Sequence, residues 1–259
     1  MTGQITLRPW SAQPQHAGIW RVGIDHPGKL NAMSRAMWVA LRETLQAVNA
    51  RSDVRCLVVQ GEGAAFCAGG DIAEYPGFRF DEAQLTHFHE GEVWGGLQAL
   101  LDCPVPVVAA IRGACMGAGV EISSCCDLRV ATEDARFGAP IARLGFPMAP
   151  RELELVGREV GSMVARRMLL EAAVFSAAEM AQHGFLGPVV AAEQLDAVVQ
   201  ATAEKVAALS PLAARLNKQA MRSLAQGGVP AVVQPYAYAD DAEHREGIHA
   251  FLEKRKPQF

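Results

Sequence analysis

Two glycine-rich turns constrain this chain more than any other feature: each follows an apolar run and leads into a helix-forming segment. The first is Gly61-Glu62-Gly63-Ala64-Ala65-Phe66-Cys67-Ala68-Gly69-Gly70-Asp71-Ile72, and the second is Gly113-Ala114-Cys115-Met116-Gly117-Ala118-Gly119-Val120-Glu121. Small residues let the backbone approach a ligand closely, and N–H groups at a helix start are free to meet negative charge. Two such turns can aim one N–H each at a single carbonyl oxygen. That arrangement stabilises an enolate or a tetrahedral oxyanion, an effect of about 3 kcal/mol per donor in mutant series. The same pattern is also compatible with two plain tight turns in an α/β fold. Neither turn matches GxGxxG or GxxxxGK[ST], which disfavours nucleotide binding through those loops.

The flanking segments support an α/β fold. Residues 18–25 alternate apolar and polar side chains as a half-buried strand does, and His26-Pro27-Gly28 ends it. Ser34 is placed to cap a helix, and Met33, Met37, Leu41, Leu45 and Val48 follow at helical spacing to about residue 50. Residues 55–60, 105–111 and 126–131 read as buried strands, and residues 81–102 as a helix. Strands separated by helices, with little polar alternation, predict parallel pairing with helices outside. Beyond about residue 150 the spacing predicts helices over 152–172, 176–183, 192–209, 211–226 and 229–254. The expected division is an α/β core over 1–195 and a C-terminal helical region over 196–259.

Among 259 residues, 50% are hydrophobic and 20% charged, with a net charge of −4. These values fit a soluble globular protein and give no reason to expect a nucleic acid or an anionic membrane as partner. The chain opens without a basic segment followed by an apolar run, and no stretch approaches the ~18 apolar residues of a membrane span. The six cysteines lack CxxC spacing and sit in apolar surroundings, as reduced cysteines of a cytoplasmic protein do.

Glu121 lies in an otherwise apolar or small run, Met116 to Cys126, in the first turn of its helix. A buried carboxylate is costly unless it is paired, so burial here points to general acid–base work; at the surface the same residue would be a helix-cap carboxylate. Asp71 closes the first turn and is read as a helix cap.

These motifs, with His26-Pro27 through Asn31-Ala32-Met33, Cys126-Asp127-Leu128-Arg129, Phe137-Gly138-Ala139-Pro140 and the terminal Arg245-Glu246-Gly247 to Lys256, resemble the crotonase superfamily of enoyl-CoA hydratases and isomerases over nearly the whole chain. The resemblance implies an α/β spiral of ββα turns followed by a helical trimerisation region, assembled as a homotrimer or homohexamer. It implies an oxyanion hole from the N–H groups of Gly70 and Ala118 and a catalytic Glu121. It further implies that backbone around Ala68, Asp71 and Ile72 holds the adenine of coenzyme A, with Lys254 and Lys256 near its phosphates. The acyl-CoA thioester is the substrate, and no separate cofactor or metal is expected; His87 and His89 with Glu90 do not form HExxH.

One departure limits the carry-over. Family hydratases use a second glutamate after the Phe-Gly-x-Pro segment, where this chain has Ile141, and the following loop reads Phe146-Pro147-Met148-Ala149-Pro150-Arg151-Glu152. Isoleucine can neither orient water nor carry a proton. Two-carboxylate hydration is therefore in doubt from sequence, and isomerisation, decarboxylation or a non-catalytic acyl-CoA-binding scaffold stand beside it. His87, His89, Glu90 and Glu92 offer substitutes for the lost acid, although such residues more often form a solvated helix face.

Overall fold

The computed structural model describes residues 2–11, 13, 16–225 and 234–259. The chain begins with β1 (Gln4–Pro9) and β2 (Ile19–Asp25), antiparallel to each other. Helix α1 (Arg35–Asn49) follows; Ser34 caps it by accepting from the Met37 N–H at 3.2 Å. Its buried stripe is Met37, Trp38, Leu41, Leu45 and Val48. Met33 stands outside the helix and instead pairs with Gly70 in a lone β-bridge. Then come β3 (Cys56–Gly61), a 3-10 turn over Ile72–Gly77, α2 (Glu82–Thr86), a π-helical segment over His87–Val93, and α3 (Trp94–Leu101).

The second half of the core holds β4 (Val107–Ile111), β5 (Ala114–Met116), α4 (Ala118–Ser124), β6 (Leu128–Thr132), β7 (Arg136–Gly138) and a 3-10 turn over Ile141–Leu144. It continues with α5 (Pro150–Val160), α6 (Ser162–Leu170), β8 (Val174–Ser176), α7 (Ala177–Gln182) and β9 (Val189–Val190). The chain closes with α8 (Leu195–Ala207), α9 (Pro211–Ala225) and α10 (Ala242–Leu252).

Six strands form one sheet in the order β1-β2-β3-β4-β6-β9, parallel at every pairing after the first. The central strands β3 and β4 lack polar alternation because both faces are covered. Leu57, Val59, Val107 and Ala109 join the large core with α1 and α3, whereas Cys56, Val58, Val108, Ala110 and Val130 pack under Leu195, Val199 and Ala203 of α8. Helix α8, assigned from sequence to the C-terminal region, thus covers the second face of the sheet. A smaller sheet, β5-β7-β8, stands beside the large one.

Several boundaries differ from the expected ones. The segment 152–172 is two helices, because Gly161 takes φ +86° and ends α5. Of the segment expected to be helical over 229–254, residues 229–233 lie outside the described residues, a 3-10 turn spans Ala237–Asp240, and α10 starts at Ala242, where Asp241 accepts from the Glu243 N–H at 2.8 Å. Strands β1, β5, β7, β8 and β9 are short or lie at an edge, and periodicity does not reveal them.

Candidate active site

The two glycine turns are laced together. The Cys67 N–H donates to the Ala114 carbonyl at 2.9 Å, and the Met116 N–H donates to the Cys67 carbonyl at 2.8 Å. At Gly119 a side chain is forbidden, since its Cβ would lie 2.6 Å from the Cys67 oxygen. Glycine here lets α4 start against the first turn. Among the described residues, the N–H groups of Gly70 and Ala118 have no protein acceptor. Both residues line one narrow cavity of about 60 Å³. Two free donors from two turns at one cavity are what an oxyanion hole requires.

Glu121, in the first turn of α4, is buried and lines the same cavity. Burial, and after it the charge of Glu152, pushes its carboxyl well above the ordinary value near 4.5. Ile141 is also in the wall, so the position that lacks the family acid does face the cavity. The second carboxylate comes from elsewhere: Glu152, third residue of α5, is buried and lines the cavity too. Sequence reading missed it. The available signal was Pro150, a helix-starting residue, which places Glu152 in a first turn where the helix dipole favours a carboxylate.

Of the four candidates on the long helical segment, only His89 reaches the cavity. His87 is exposed, Glu90 pairs with Arg151 at 3.3 Å, and Glu92 is buried in an ion pair with Arg35. The expected solvated face is therefore incomplete, and the reason is the π-helical segment. There the Trp94 N–H bonds to the His89 carbonyl, five residues back, and the extra residue re-aims the side chains. The Nδ1 of His89 lies 2.8 Å from Glu152 Oε1, and its Nε2 lies 3.4 Å from Arg79 Nη1. Arginine can only donate, so Nε2 accepts, which assigns the ring proton to Nδ1, donating to Glu152.

Arg79 itself is clasped between two aromatic faces, 4.6 Å from the centroid of Tyr75 and 3.8 Å from that of Phe146. Tyr75, Arg79, Phe146, Met148 and Trp38 also line the cavity. The residues matched to coenzyme A lie outside it. Asp71 is buried, caps the 3-10 turn through the Ala73 N–H, and binds Lys29 at 2.5 Å. Ala68 is half-buried, and Ile72, Lys254 and Lys256 are exposed.

Residues 14–259 match the enoyl-CoA hydratase/isomerase family. The 2,3-dehydroadipyl-CoA hydratase of Escherichia coli (strain K12) is 32% identical over 241 residues, 91% of this chain and 92% of that protein. The crotonyl-CoA hydratase of Syntrophomonas wolfei is 31% identical over 242 residues, covering 91% and 92%. Among solved structures, an enoyl-CoA hydratase/carnithine racemase from Magnetospirillum magneticum superposes with a TM-score of 0.89 at 33% identity, covering 94% of this chain and 92% of that one. An enoyl-CoA hydratase from Bacillus anthracis gives 0.89 at 28% identity, covering 98% of each. With its crotonase fold, this chain belongs to the enoyl-CoA hydratase/isomerase family and is an acyl-CoA enzyme of the hydratase/isomerase type.

Proposed function

We propose that the chain hydrates the 2,3-double bond of a 2-enoyl-CoA, with Glu121 and Glu152 as its two acids. One observation carries this reading: Glu152 shares the cavity with Glu121, although the family position at Ile141 is apolar. The two carboxyls differ in surroundings, which separates their roles. Glu121 is held toward its neutral form and donates; Glu152, oriented by His89, accepts. A water attacks the β-carbon and gives its proton to Glu152. The double-bond electrons pass into the thioester enolate, held by the N–H groups of Gly70 and Ala118. Glu121 protonates the α-carbon, and a proton passed from Glu152 to Glu121 restores the pair.

Coenzyme A is assigned to the backbone of Ala68, Asp71 and Ile72 and to Lys254 and Lys256, which are exposed and so accessible to phosphates. The exposed apolar side chains of Met221, Leu224, Ile248, Phe251 and Leu252 support burial of α9 and α10 between copies in a homotrimer or paired trimers. Six unpaired thiols, all buried, support a reducing, cytoplasmic location.

Loss of the conjugated thioester absorbance of crotonyl-CoA tests hydration, and its appearance from a 3-enoyl-CoA tests isomerisation. Glu121→Gln and Glu152→Gln should each lower hydration by about 10²-fold or more. Full hydration by Glu152→Gln would refute the two-acid reading. Isomerisation without hydration would leave Glu121 alone as the proton carrier.

A further inference from the structure

The proposed hydration leaves the polar group of Tyr75 unused, although the residue lines the cavity. Tyr75 sits in the 3-10 turn that Asp71 starts, and the turn curls its ring back over the segment that begins at Gly70. A Cβ at Gly70 would collide with the Tyr75 hydroxyl, so the phenol oxygen lies directly against that residue. The ring is fixed edge-on by Phe78, Phe88 and Phe146, with centroids 5.8, 6.4 and 6.0 Å away. Among the described residues the hydroxyl has no hydrogen-bond partner. A phenylalanine would fill this wall as its three neighbours do, whereas the half-buried Tyr75 adds a hydroxyl against Gly70 that no group among the described residues engages.

We propose that Tyr75 is a catalytic residue whose hydroxyl donates a third hydrogen bond to the thioester oxygen as the enolate forms. A donor beside Gly70 stands next to a residue whose N–H is proposed to hold that oxygen. The ring's surroundings suit a lasting donor. Burial pushes the phenol up to about 12, so it keeps its proton across the working pH range, while the nearby Arg79 guanidinium polarises the O–H. No covalent bond is made or broken by Tyr75. Its contribution is charge stabilisation that grows from ground state to enolate, which affects kcat more than KM.

The inference rests on the proposed enolate-holding site, but its test needs no turnover. Acetoacetyl-CoA, whose enolate absorbs in the near ultraviolet, is titrated with pH while bound to the wild-type protein and to Tyr75→Phe. The wild type should lower the apparent pKa of the bound ligand relative to free ligand, and Tyr75→Phe should lose about 10²-fold of that stabilisation with little change in binding of crotonyl-CoA. Replacing Tyr75 by 3-fluorotyrosine keeps ring and hydroxyl, and its more acidic phenol should favour the enolate further. A merely structural tyrosine would not produce this opposite shift. Equal enolisation by wild type and Tyr75→Phe overturns the proposal, as does a wild type that binds the ligand without enolising it. Enolisation lost in Tyr75→Phe by a protein that hydrates nothing would refute the hydration reading and leave the role of Tyr75 standing.

Discussion

At the scale of single residues, the proposed chemistry turns on a carboxyl that burial shifts toward its neutral form. Glu121 has its pKa raised in the folded protein, so the folded state binds a proton more tightly than the unfolded chain. Stability from this group is fully present below the unfolded value near 4.5 and falls as pH rises toward the folded value. Glu121→Gln removes that slope. Denaturant midpoints should therefore show Glu121→Gln gaining on the wild type as pH rises above the ordinary carboxyl value near 4.5. Ile141→Glu, which would restore the family acid, places a third carboxyl in a cavity of about 60 Å³ beside two others. Like charges there repel and desolvate, so the substitution should lower the unfolding midpoint, by about 1–3 kcal/mol in stability, without raising hydration. Higher hydration by that variant would mean that Glu152 is not the second acid. The residue scale is also where the sequence was most and least legible. The glycine turns and Glu121 sit in local motifs, while the choice of Gly70 and Ala118 as donors comes from the family resemblance. Glu152 could not be read this way, because its partner His89 is 63 residues distant and nothing local marks the encounter.

Among the elements, the π-helical segment decides most. A regular α-helix over 81–102 was the natural reading, and each residue inserted or removed turns the side chains beyond it by about 100°. Removing Gly91 should restore α-helical hydrogen bonding and swing His89 away from Glu152. Hydration by the deletion variant should fall by about tenfold or more. His89→Gln, which keeps the helix and a donor, should retain more activity and shift the pH–rate profile less. If both variants behave as wild type, the His89–Glu152 contact has no catalytic part. Capping offers a control remote from the site. Ser176 and Glu179 close a reciprocal capping box on α7, and Ser176→Ala should cost about 1 kcal/mol of stability with hydration unchanged. Long helices and the central parallel strands were legible because both carry their burial pattern within a few residues. The two- and three-residue strands were not, since β5, β7, β8 and β9 exist only through their pairing partners.

Across the whole molecule, the large sheet is sealed on both faces, yet the C-terminal helices present apolar side chains outward. Phe251 and Leu252 are 82% and 70% exposed on the last turn of α10. If α9 and α10 form the proposed contact, Phe251→Glu with Leu252→Glu should reduce the mass measured by light scattering from a multiple of 27.7 kDa toward a single chain. An unchanged mass would place the contact elsewhere. Spacing assigns these helices to a region of their own, and within it the apolar face of α8 lies under β3, β4 and β6.

The clasp of Tyr75 and Phe146 around Arg79 has a consequence for traffic through the site. A space of about 60 Å³ holds water and little more. Arg79 lines this space, so an acyl group that displaced its guanidinium would release cation–ring contacts of about 0.5–2 kcal/mol each. That cost is returned when the product departs and the clasp reforms. Trimming Phe146 removes a contact that such binding would break, so the variant should hold the acyl group more tightly and release product more slowly.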